Sequence, residues 1–212
     1  MTRYQLQENI HVAPSPAGAY YAVSRPEEEV PRRLLRSLLT QPASPLLSME
    51  GIREWSGMDD DDSAMELLSH IQALGWIEGM DSPVTPPEGR LEDTLPELLA
   101  PLSGNGKVLL ADDQGFYLSS QGFAHETAEE LSALSADLAT LHERHAGLLK
   151  NNLGLRSNAW AVVDAAGNSE VGFWPMYIGQ QRFVLVAGGV PRLNQPALTQ
   201  LIWALSIRYA GS

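Results

Sequence analysis

Few residues in this sequence stand at spacings that catalysis or metal binding requires. Ser103-Gly104-Asn105-Gly106-Lys107 has the composition of a phosphate-binding loop. It lacks the Gly-x-x-x-x-Gly-Lys-Ser/Thr spacing, and a strand pattern follows where phosphate would need a helix N-terminus. A loop joining helix to strand is expected there instead. His142 and His145 lie three apart on a helical pattern and could face one ion. With no third carboxylate or imidazole close by, they read better as solvated or interface histidines. Asp59-Asp60-Asp61-Asp62 opens a helix, where carboxylates accept from free N–H groups and oppose the positive end of the dipole. The Gly and distal Glu of an EF-hand are missing from their set positions. There is no Gly-x-Ser-x-Gly, no His-Glu-x-x-His and no paired-carboxylate constellation. The expectation is a chain with no catalytic residues, no cofactor and no metal.

The bulk composition points the same way. The chain has 212 residues, 44% of them hydrophobic and 19% charged, an ordinary globular balance. It has no cysteine, which removes disulfides, thiolate ligands and a thiol nucleophile together. A net charge of −12 repels phosphate backbones and anionic lipid head groups. No apolar run approaches the roughly 20 residues of a membrane span. Met1 to Asn9 carries no apolar h-region after its single Arg. A cytoplasmic protein is expected.

Around these features the elements read as follows. Asn9-Ile10-His11-Val12 and Ala19-Tyr20-Tyr21-Ala22-Val23 flank Pro14 to Gly18 and predict a short hairpin within an N-terminal extension, residues 1–25. Residues 26–80 predict three helices. The first starts near Pro31 and carries Leu34, Leu35, Leu38 and Leu39. The second starts from Ser48 and ends at Gly57, and the third is stopped by Gly75. This order resembles a winged-helix module. Three prolines make 81–90 a linker. Residues 91–210 then predict a helix, two strands, a long helix from about His125 to Leu149, three strands and a last helix. Short connections within each strand group imply antiparallel neighbours, giving one five-stranded sheet between helices, an α+β fold.

The segment Val108 to Ser120 (Val-Leu-Leu-Ala-Asp-Asp-Gln-Gly-Phe-Tyr-Leu-Ser-Ser) resembles the opening hairpin of the roadblock family of dynein light chains. A long Ala/Leu-rich helix and a Val-Val-Asp strand follow in that family's order. The resemblance covers about residues 91–210. It implies a roadblock/profilin-like fold and a dimer in which the two third strands pair and the two long helices pack together. It also implies a partner such as a Ras-like small GTPase, or a scaffolding role, and no enzymatic activity. Two departures are Pro175 inside the fourth strand, which predicts an edge, a bulge or a strand end there, and the long exit from the helix at Gly147 to Arg156.

Two surfaces are candidates for that dimer. On the long helix, Leu131, Leu134, Leu138, Leu141 and Leu148 form a stripe expected to pack on the sheet. Beside it the small residues Ala128, Ser132, Ser135, Ala139 and Ala146 are expected to face the partner. The third strand, Ala159-Trp160-Ala161-Val162, has no charge to guard an open edge. It either pairs with its copy or lies inside the sheet. The alternative function is a DNA-binding regulator dimerised by the second domain. Against it, the third N-terminal helix, Asp60 to Leu74, has no Lys or Arg, and Arg32, Arg33 and Arg36 cluster on the first. DNA and membrane insertion are therefore not expected; the partner is a second copy or another protein.

Overall fold

The computed structural model describes residues 5–7 and 9–211. Met1 to Tyr4, on which part of the reading of the N-terminus rests, lie outside them. The predicted N-terminal hairpin is not formed. Strand β1 (His11–Pro14) leads straight into helix α1 (Pro16–Val23). Ser15 decides this: its Oγ accepts from Gly18 N at 3.2 Å and donates to Gly75 O at 2.6 Å. With Pro16 in the first turn, Ala19–Val23 winds into a helix rather than returning as a strand. The partner of β1 is the distant strand β2 (Ile77–Met80), antiparallel from His11↔Met80 to Pro14↔Ile77.

After α1, α2 (Val30–Leu39), α3 (Met49–Ser56) and α4 (Asp61–Ala73) also run between those strands. Ser48 and Asp60 cap α3 and α4, and Gly57 ends α3 in the left-handed region at φ 70°. Leu46 bridges to His11, and Leu47 N donates to Ile10 O at 2.8 Å. The small sheet therefore runs from Leu46 through β1 to β2. Its middle strand comes from ahead of the helices and no described strand returns to pair with β2 after it, so the arrangement does not show a winged helix. The Pro-rich stretch instead crosses the surface, held by Ser44 N to Val84 O and Val84 N to Ser44 Oγ, both 2.8 Å.

Beyond it come α5 (Leu91–Leu99), a 3-10 turn (Ala100–Leu102), β3 (Val108–Ala111), β4 (Tyr117–Gln121) and α6 (His125–Arg144). A π-helical turn (Gly147–Asn152), β5 (Trp160–Val163), β6 (Ser169–Ile178), β7 (Gln181–Gly188) and α7 (Pro196–Tyr209) complete the chain. The five-stranded sheet is antiparallel throughout, in the order β4-β3-β7-β6-β5. Pro175 lies in β6 beyond Phe173, where pairing with β5 stops. The missing N–H therefore falls where that side of the strand has no neighbour to supply.

Each face of the sheet buries its own cluster. Leu109, Phe173, Val184 and Val186 lie under α6, while Val108, Leu110, Phe183 and Leu185 pack on α5 and α7. That second cluster also contains Ala19 and Val23 of α1 and Leu35 and Leu39 of α2. Leu34 and Leu38, the next residues around α2, point into a separate cluster with Ile52, Trp55 and Ile71. Consecutive leucines about 100° apart on a helix thus let α2 serve two cores. Trp203 Nε1 donates to Gln41 O at 2.9 Å across the same junction. Tyr21 stacks on Trp76 with ring centroids 3.9 Å apart. The segments on either side of residues 81–90 share one hydrophobic core.

Candidate functional site

The surface that the long helix and the outer strand form together starts from the size of side chains. Ala128, Ser132, Ser135 and Ala139 recur along one side of α6 and all four are buried, with Ala128 in the sheet cluster. Their small volume lets the helix backbone settle close to the strands. Ser132 Oγ donates to Ala128 O and Ser135 Oγ to Ser132 O, both at 2.7 Å, so the hydroxyls can be buried without an unmet donor. Close approach shows at Gly115 too, where a Cβ would lie 3.2 Å from Ala133 Cα.

This reverses the expected facing of α6. The small stripe, predicted to meet a partner, seats the helix on its own sheet; Ala146, at the helix exit, is half-buried. The leucine stripe, predicted to be core, is divided. Leu131 and Leu138 are half-buried at the margin of the sheet cluster. Leu134 is 43% exposed and Leu141 39% exposed, and Leu148 is exposed beyond them. The physical reason is distance: a helix brought close by alanine and serine leaves no room beneath it for five leucines.

Strand β5 lies at the sheet's edge, with β6 as its only neighbour among the described strands. Ala159, Trp160, Ala161 and Val162 are thus at or beside an open edge; Trp160 is half-buried and Val162 is 53% exposed. Trp160 also joins the edge to the helix. Its Nε1–H donates to His142 Nδ1 at 3.2 Å, and the rings meet edge to face at 6.2 Å. Burial, reinforced by the positive charge of Arg25 and opposed by Glu143, holds the His142 pKa below its usual value. Arg182 Nη1 pairs with Glu143 Oε1 at 2.9 Å, tying α6 to β7.

Sequence reasoning missed Asn158, which is buried and donates through Nδ2 to Ser24 O at 2.7 Å, fixing the start of β5 to the loop after α1. It also missed exposed Leu153 and Leu155, in the segment between the π-helical turn and β5, and exposed Phe116. Only the Leu-rich helix exit hinted at the first two.

His142 is engaged with Trp160 and His145 is exposed. Among the described residues no three His, Cys, Asp or Glu groups could hold a metal ion. Ser103 to Lys107 joins the 3-10 turn to β3; Ser103 Oγ donates to Gly188 O at 2.9 Å and accepts from Lys107 N at 3.1 Å. Asp60 accepts from Ser63 Oγ at 2.6 Å and from Ser63 N at 2.8 Å as the cap of α4, which lowers its pKa. Asp61 pairs with Arg53 at 2.9 Å. Arg32 and Arg36 hold the C-terminal end of α1: Arg36 Nε donates to Ala22 O at 2.8 Å and Nη2 to Arg25 O at 2.6 Å, and Arg32 donates to Tyr21 O. No described helix is long and apolar enough to cross a membrane.

No family model and no curated protein matches the chain. Two solved structures are similar to part of it. The roadblock/LC7 domain from Streptomyces avermitilis is 15% identical over 57% of this chain and 93% of that one, with a TM-score of 0.35. MglB of Myxococcus xanthus is 16% identical over 57% and 91%, with a TM-score of 0.33.

Proposed function

We propose that the chain is a non-catalytic, cytoplasmic adaptor that pairs with a second copy of itself and acts through protein–protein contacts. The observation that supports this reading is that α6 carries outward Leu134 and Leu141 and is joined at His142 to Trp160 of the unguarded edge β5. Burying a leucine stabilises by roughly 1.5–3 kcal/mol relative to leaving it in water. An apolar edge with unpaired N–H and C=O groups is a template for another strand. A two-fold axis beside β5 satisfies both needs, joining the two sheets and packing Leu134 and Leu141 against their copies. In this roadblock-like arrangement Ala159 to Val162 form part of the interface, while Ala128, Ser132, Ser135 and Ala139 support it from beneath.

Light scattering should give the mass of a dimer, and Leu134→Glu with Leu141→Glu should give a monomer with an unchanged helical spectrum. A wild-type chain that stays single at high concentration would end this proposal. A Ras-like small GTPase, which the roadblock resemblance implies, is the first partner class to test. Capture of the GTP-loaded form in preference to the GDP-loaded form would make the adaptor a regulator, and capture of neither would make it a scaffold. DNA reading is the weaker alternative, because α4 carries no Lys or Arg and Arg32 and Arg36 are engaged inside the fold. Tight, sequence-dependent retardation of duplex DNA at low salt would reverse that ranking.

A further inference from the structure

The charge of this protein is not spread evenly. Between Met49 and Asp81 there are nine acidic residues and one basic, Arg53, so this stretch carries −8 of the chain's −12. Arg53 is already paired with Asp61. Within the stretch, a cleft of about 220 Å³ opens between α4 and the β1–β2 ribbon. Its apolar lining, Leu6, Val12, Met65, Leu68 and Ile77, belongs to the core cluster of α2, α3 and α4. Strand β2 contributes three consecutive residues, Ile77, Glu78 and Gly79, so its backbone as well as its side chains lines the cleft.

Two further features select the occupant. The ribbon has β1 in its middle, between Leu46 and β2, so the other side of β2 is paired with no described strand. Glu78 is exposed on this strand and Asp81 just past its end, and neither has an ion-pair partner among the described residues. Asp62 lies one helical turn before Met65 on α4 and is exposed. An open edge asks for an extended chain, the cleft asks for an aliphatic side chain, and the rim asks for cations. We propose that the cleft between α4 and β2 docks an extended basic peptide of a partner protein, which adds to the free side of β2. Its alternate residues then place aliphatic groups between Met65 and Ile77 and lysine or arginine on Glu78 and Asp81. Met65, flexible and polarizable, adapts one wall to the side chain that enters. This surface is distinct from the α6–β5 face, so it gives the adaptor a second contact that does not compete with pairing.

The test uses the full chain and a fluorescent eight-residue peptide of alternating lysine and valine. Fluorescence polarisation should show saturable binding that weakens with added salt. Amide shifts on titration should concentrate at Ile77 to Met80. Replacing valine by serine in the peptide, or lysine by glutamate, should abolish it. Glu78→Lys with Asp81→Lys, both at exposed positions, should weaken binding about tenfold. Glu50→Lys with Glu54→Lys changes net charge equally on α3 and should leave binding within about twofold. Equal losses for the two pairs would mean bulk attraction only and would overturn the proposal. So would equal affinity for the lysine–serine peptide, or no binding of the lysine–valine peptide.

Discussion

At His142 a single lone pair joins helix to edge strand. The Trp160 indole donates to Nδ1, so the proton on the neutral ring belongs on Nε2. Burial and Arg25 keep the folded pKa below the ordinary 6.5, which means the native state favours the neutral ring. The resulting stabilisation is fully present above 6.5 and is lost as pH falls through the lower folded value. Thermal melts taken from about pH 7.5 to about pH 5 should fall further for wild type than for His142→Gln, which has no proton to gain. Parallel curves would remove this role. Ser135 belongs to the same scale. It is buried with its hydroxyl bonded inside the helix. Ser135→Leu should destabilise by about 1–3 kcal/mol through overpacking, read as a lower denaturant midpoint. Ala139→Glu, at first sight a way to make monomers, should instead unfold the sheet face of α6, because Ala139 is buried in the single chain.

Among the elements, α1 depends most on one short motif. Ser15 caps it and also reaches Gly75 O, and Gly18 allows it to lie against Trp76: a Cβ at Gly18 would be 1.9 Å from Trp76 O. Ser15→Ala should cost about 1 kcal/mol. Gly18→Ala should cost more, because backbone and not a flexible side chain must move; paired denaturant curves give the order. A hairpin was expected here because Pro14 to Gly18 has the composition of a turn. Ser-Pro is equally a helix start, and the choice fell to what lay across from it. In α6 and β5 the elements themselves were legible, with the helix at His125–Arg144 and the strand at Trp160–Val163. Which side of α6 faced inward was not. Helical spacing groups the leucines and groups the small residues, but it does not say how near the sheet will come.

For the whole molecule the main consequence is cooperativity. Ala19, Leu35, Leu39, Phe183 and Trp203 belong to one cluster, although the Pro-rich stretch divides them in sequence. Far-ultraviolet circular dichroism and tryptophan fluorescence should therefore report one coincident unfolding transition. A fragment of residues 91–211 exposes the α7 face that α1 and α2 cover, and should precipitate or bind hydrophobic dye. Two separated transitions, or a well-folded soluble fragment, would show the halves to be independent.

From the residues alone came the order of the helices and of the strands in the C-terminal part, the helix capped by Ser48, the helix opened by the run Asp59 to Asp62, and the expectation that pairing is interrupted near Pro175. The lack of a catalytic constellation could be read there as an expectation. These rest on local rules: period, cap, turn and proline chemistry act within a few residues. Tertiary structure alone decided that β1 would pair with a strand beyond four helices, that β5 would end the sheet, and that alanine and serine would turn the leucines of α6 outward. Each of those outcomes depends on how closely distant surfaces pack, and that distance is set by the size of side chains far apart in the chain.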